Sequence, residues 1–185
     1  MSEITLALQA VGRGEAPPTE ELLSLVYEQL RRLAAVRMAR EAPGQTLQAT
    51  ALVHEAWLRL VKDGDQTWES RAHFFGAASE AMRRIVIENA RRKLSLKRGG
   101  QVQRVDISEV TLAEITPDDK ILMVDEALEA LRVEYPEVAQ LVLMKFFGGL
   151  TNQEAAEALG VAERTAGRQW AFAKAWLLDW IQEMH

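Results

Sequence analysis

Gly148-Gly149-Leu150-Thr151, then Asn152 to Leu159, then Gly160-Val161, then Ala162 to Ile181, is the stretch that decides the fold. Thr151 is a helix cap, and Glu154 stands where a capping-box partner belongs. Ala155 is small where two helices must cross closely, and Gly160 supplies the positive φ that a tight inter-helix turn wants. Ala166, Trp170, Ala173 and Leu177 form an inward stripe on the second helix. Arg164, Thr165, Arg168 and Gln169 fall on neighbouring faces, within reach of base edges and phosphates. This is the spacing of a helix-turn-helix, whose second helix enters the DNA major groove. The bland reading is an αα-corner with Arg164 and Arg168 as solvated charges; the coincidence of cap, small residue, turn glycine and basic face favours DNA.

Outward from this segment the chain reads as helix. Apolar residues recur at helical spacing and no run of β-branched residues alternates cleanly, so strands are not supported. Upstream, the pattern predicts helices from about Pro117 to Val133 and from Tyr135 to Phe147. Gln101 to Pro117 loses the periodicity and turns acidic, which marks a linker or a loosely docked arm. Before it, a long helix from about Ser70 to Leu96 carries Phe74, Phe75, Ala78, Met82, Ile85, Val86 and Ala90 and ends at Gly99-Gly100. Lys62 to Glu69 reads as a loop around Asp63-Gly64-Asp65. A helix over about 47–62 has Leu52, Val53, Ala56, Trp57 and Leu60 as its buried face. Two more precede it, a short one near 3–13 and one capped by Thr19, with Leu22, Leu25, Val26, Leu30, Leu33 and Val36 as its stripe, stopped at Pro43-Gly44. The expected fold is all-α: a helical domain over 1–100, an acidic linker over 101–117, and a helix-turn-helix domain over 118–185.

The length of 185 residues is compatible with two small helical domains, and an apolar share of 48% is enough for a real core. The chain has no cysteine, which removes disulfides, thiolate metal sites and thiol nucleophiles. No segment approaches the ~20 uninterrupted apolar residues of a membrane helix, and the N-terminus lacks a secretory pattern. A cytoplasmic protein without membrane association is expected. A net charge of -5 argues by itself against a general nucleic-acid binder, but the distribution matters more. Arg83, Arg84, Arg91, Arg92, Lys93, Lys97, Arg98 and Arg104 crowd one stretch, while Asp106, Glu109, Glu114, Asp118, Asp119, Asp125, Glu126 and Glu129 crowd the next.

The order of these parts resembles the extracytoplasmic-function sigma factors over nearly the whole chain. Ala51-Leu52-Val53-His54-Glu55-Ala56-Trp57-Leu58-Arg59-Leu60 looks like the helix that docks on the polymerase clamp. Arg71-Ala72-His73-Phe74-Phe75 through Arg91-Arg92-Lys93 looks like the regions that open and read the -10 element. Gly149 to Trp176, with Glu163-Arg164-Thr165 and Trp170-Ala171-Phe172-Ala173-Lys174-Ala175-Trp176-Leu177, looks like the reader of the -35 element.

The resemblance implies core RNA polymerase and promoter DNA as partners, no cofactor, no metal and no catalysis by the chain itself. It implies polymerase docking through Gln48, Thr50, Leu52, His54, Glu55, Leu58 and Arg59, and -35 contacts through Arg164, Thr165, Arg168, Gln169 and Lys174. For the -10 strand the candidates are Trp68, Arg83, Arg84, Asn89, Arg91, Arg92 and Lys93, since single strands need aromatic faces for bases and cations for phosphates. Trp68 has a hydrophobic lid as its alternative role. The closest subgroup has a docking helix reading Thr-Ala-Leu-Val-His-Glu-Ala, here without the acidic residues usual at its start; Gln48, Thr50 and Ala51 stand there, and Glu55 remains. Phosphorylation of Thr50 by a Ser/Thr kinase would restore that charge, with a plain capping or packing hydroxyl as the alternative. An anti-sigma factor is a second candidate regulator.

Within the recognition helix, Gly167 and Ala166 are smaller than the family pattern expects, which implies an altered or relaxed -35 preference. The rival reading is a helix-turn-helix transcriptional regulator that is not a sigma factor, disfavoured because the first hundred residues lack a receiver-like alternation of strands and helices. An enzyme reading has little support. His54-Glu55 is followed by Leu58 where a zinc-protease pattern needs a second histidine, and His73 and His185 have no ligand-like spacing to it.

Overall fold

The computed structural model describes residues 24, 27, 30–32, 34–35, 49–61, 70–97 and 117–184. The expected helix near 3–13, Gln48, Trp68 and the acidic stretch 101–116 lie outside the described residues. Every regular element among the described residues is helical: α1 (Ala49–Val61), α2 (Arg71–Lys97), α3 (Pro117–Glu134), α4 (Pro136–Val142), a π-helical turn (Leu143–Phe147), α5 (Asn152–Leu159) and α6 (Glu163–Met184).

Each start has a local chemical cause. Ser70 caps α2, its Oγ accepting the His73 N–H at 3.0 Å. Asp118 and Asp119 occupy the first turn of α3, where carboxylates meet unpaired N–H groups. Pro136 opens α4, a position where its missing N–H and fixed φ are no handicap. The stretch expected as one helix from Tyr135 to Phe147 instead changes character at Leu143. The Gly148 N–H reaches back to the Leu143 carbonyl at 3.1 Å, and the widened turn sends Leu143, Met144 and Phe147 all inward.

Of the expected buried face of α1, Leu52, Val53, Ala56 and Leu60 are buried while Trp57 is only half-buried at its edge; on α2 the expected Phe74, Phe75, Ala78, Met82, Ile85, Val86 and Ala90 are all buried. Full burial of each large side chain among them is worth about 1.5–3 kcal/mol. α2 is buried over more of its circumference than one stripe requires. α1 covers one side, while α3 and the π turn pack on another, and α5 touches its N-terminal part. Gly76, Ser79 and Arg83 face this second contact and are buried with the apolar residues. Buried hydrophobics from Leu30 to Leu177 thus form one continuous cluster across both described halves.

Glycine inside a helix such as α2 costs about 1 kcal/mol relative to alanine. Gly76 has a reason to be there: a Cβ would come within 2.4 Å of Gln140 Nε2 on α4. Gly148 has a sterner one, since its Cβ would lie 2.2 Å from Ser79 Oγ and 2.6 Å from the Met144 carbonyl oxygen.

Candidate nucleic-acid interface

The helix-turn-helix is built from local bonds. Thr151 Oγ1 accepts the Glu154 N–H at 3.2 Å, and the Glu154 carboxylate accepts the Thr151 N–H at 2.8 Å, closing the capping box. Burial alone would push the Glu154 carboxyl up, but the Thr151 hydrogen bonds and the neighbouring Arg32 guanidinium hold it below its ordinary value. α5 ends at Gly160 with φ 69° and ψ 27°, and the Val161 N–H turns back to the Ala156 carbonyl at 3.0 Å. Asn152 Nδ2 donates to the Glu163 carbonyl at 3.1 Å, tying the start of α5 to the start of α6.

α6 is held by its inner side. Ala166, Ala173 and Leu177 are buried, and Lys145 Nζ sits 4.8 Å from the Trp170 ring centroid; away from that side, the exposed rings of Tyr135 and Phe172 meet edge-on at 5.0 Å. The two aromatic contacts escape sequence reading because Lys145 and Tyr135 belong to other elements. On the outer side Arg164, Arg168 and Lys174 are exposed, with Thr165 and Gln169 half-buried beside them. Arg164 and Arg168 lie about 40° apart around the helix, on one face, and Lys174 about 80° to the other side of Arg164. None of these cations has an acidic partner among the described residues, so their charge is available to phosphates and base edges.

On α2 the basic residues divide. Arg84, Arg91 and Arg92 are exposed, and Asn89 is half-buried. Arg83 is turned inward, its side chain 10% exposed. Its Nε donates to Asp125 Oδ1 at 2.6 Å, while its other nitrogens lie 2.6 Å from Glu129 and 3.3 Å from Glu80. Burial alone would lower the Arg83 pKa; the Asp125 hydrogen bond and the surrounding carboxylates raise it instead. Burial would likewise push the Glu80 carboxyl up, but Arg83 and Arg132 outweigh it and hold that carboxyl low. Lys93 Nζ stands 4.0 Å from Asp118. The -10 candidates therefore do not share one open surface, and the acids of α3 that separate them fall among those noted in the sequence only as a crowded run.

The candidate docking helix also sorts itself. Thr50, Ala51, His54 and Leu58 are exposed, Leu58 to 55%. Leu52, expected on the docking surface, is instead fully buried, because the face it shares with Val53 and Ala56 packs into the core. Arg59 bridges Glu55 and Glu88 at 2.8 Å each, and its hydrogen bonds hold the Glu88 carboxyl below its ordinary range. No group of histidines and carboxylates among the described residues is arranged to hold a metal ion, and no described helix is long and apolar enough to cross a membrane.

Comparison with known families matches residues 1–183 to the family described as ECF sigma factor. No curated protein and no solved structure matches the chain.

Proposed function

Because the chain belongs to the ECF sigma factor family, we propose that it docks on core RNA polymerase in the cytoplasm through α1 and reads the -35 element with α6. The same reading has it capture the -10 strand along α2, so that binding energy gained at these surfaces offsets the unpairing of the duplex. Residues 1–100 serve polymerase and -10 DNA, 118–185 serve -35 DNA, and 101–117 connect them. The observation that carries the reading is the outer face of α6, where Arg164 and Arg168 project unpaired by any described acid from a capped helix-turn-helix.

Docking through α1 would fall on His54, Leu58 and the Glu55–Arg59 pair. The first turn of α1 contains no acid, and Thr50 is exposed within it. A phosphate on Thr50 would bring about -1.5 to -2 charges to unpaired N–H groups at a helix start. A Ser/Thr kinase is therefore the proposed regulator, with an anti-sigma factor as a second.

Reconstituted transcription with core polymerase on a genomic DNA library tests the reading. The wild-type chain is expected to start transcripts at a defined promoter set. Arg164→Ala with Arg168→Ala is expected to lose those transcripts while still pulling down polymerase; an unchanged transcript set overturns the -35 assignment. Phosphorylated protein should bind polymerase more tightly than Thr50→Ala, and equal affinity ends the switch idea.

A further inference from the structure

Glu163 opens α6 beside Arg164, yet a DNA surface built on cations gives this acid no task. Its side chain is exposed. Partners on its own helix would stand three and four residues on, and those positions hold Ala166 and Gly167, neither of which carries a charge. Arg164 and Arg168 lie about 100° and 140° round the axis from it, and Lys174, on its own flank, about 16 Å along that axis. The backbone that carries the carboxylate is fixed twice. Asn152 Nδ2 donates to the Glu163 carbonyl at 3.1 Å from α5, and the Thr165 and Ala166 N–H groups close the first turn on the Ala162 carbonyl at 2.9 and 3.1 Å. The N-terminal residues of a recognition helix are the ones that meet base edges. DNA phosphates repel a carboxylate, and removing it from water without a donor is unfavourable, so its place here calls for a donor on the DNA itself. In the major groove only the amino groups of cytosine and adenine donate, and adenine sets its N7 acceptor beside its amino group.

We propose that Glu163 is a specificity-determining residue, accepting a hydrogen bond from the N4 amino group of a cytosine at one position of the -35 element. The inference rests on the reading of α6 as the -35 surface. Arg164 and Arg168 supply attraction on any sequence, whereas Glu163 acts chiefly against the wrong base. Over guanine or thymine its charge meets O6 or O4, an acceptor facing an acceptor, and is left desolvated without a donor. Gly167 contributes by omission. A lysine or arginine there would stand four residues after Glu163, the favourable spacing for an ion pair, and would occupy the carboxylate before any base did.

Holoenzyme assembled from the full chain and core polymerase is offered a promoter library randomised through the -35 element, and the retained DNA is sequenced. The wild-type chain is expected to favour cytosine about tenfold at one position. Glu163→Ala should lose that preference there and keep the others. Glu163→Gln should move it to adenine, whose N6 and N7 a side-chain amide meets together. A carboxylate that only favours the start of a helix would alter stability in these variants and leave base choice alone. Preferences unchanged at every position in both variants overturn the inference while the -35 reading stands. A wild-type holoenzyme that selects nothing across the element overturns that reading and the inference together.

Discussion

At Gly160 the backbone sits at φ 69°, and a Cβ would meet nothing within 4 Å, so only conformation demands the glycine. Gly160→Ala should lower stability by about 1 kcal/mol, the cost of a left-handed alanine, without disturbing any neighbour. Denaturant unfolding measures it, and a loss well beyond that size would mean the turn does more than bend. Thr151→Ala removes one half of the capping box and should cost a similar ~1 kcal/mol. Both residues are legible in the sequence, because a cap and a positive φ are requirements a residue meets within a few positions of itself. Gly148 is different: what excludes a side chain there includes Ser79 on another helix, which no local rule could supply.

The recognition helix α6 carries a second kind of glycine. Gly167 has ordinary φ, and a Cβ would meet only Asn152 Nδ2 at 3.5 Å, an ordinary contact. Gly167→Ala should therefore raise the unfolding midpoint, by the equivalent of about 1 kcal/mol of helix propensity. A midpoint that stays put or falls would show a packing constraint the geometry lacks. On α2, the exposed Arg91 and Arg92 should act through phosphate contacts. Replacing both with alanine is expected to flatten the log–log salt dependence of promoter binding by about 1.4–1.8, at 0.7–0.9 per phosphate. An unchanged slope would remove them from the interface. Arg83, more than two helical turns away from these, should instead report in stability, because Arg83→Ala leaves Asp125 buried without its partner.

For the whole molecule, the carboxylates that hold the halves and caps together set the response to acid. Glu80, Glu88 and Glu154 all have folded pKa values below the ordinary 4.5. A carboxyl depressed in the folded state contributes stability above its unfolded pKa and loses it as pH falls through the folded one. The unfolding midpoint should thus be insensitive to these groups from neutrality down to about pH 4.5 and decline below it. A thermal scan at stepped pH checks this; a decline beginning near pH 6 would require other groups. The two-domain expectation takes a specific form here. The buried residues described on either side of 101–116 join in one cluster, while Arg164 and Arg168 stay outside it.

What the sequence by itself determined is whatever local physics can specify: helices from apolar spacing, the helix-turn-helix from its cap and turn glycine, the inward stripe of α6 from its periodicity. Tertiary structure alone decided which of the remaining faces meet. Leu52 points inward, the helix after Pro136 widens at Leu143, and Arg83 is taken by an acid rather than left for DNA. An ion pair between positions 42 apart depends on how two helices are set against each other. Many acids in the run after Arg104 carry the same charge, so only packing selects which of them come within reach.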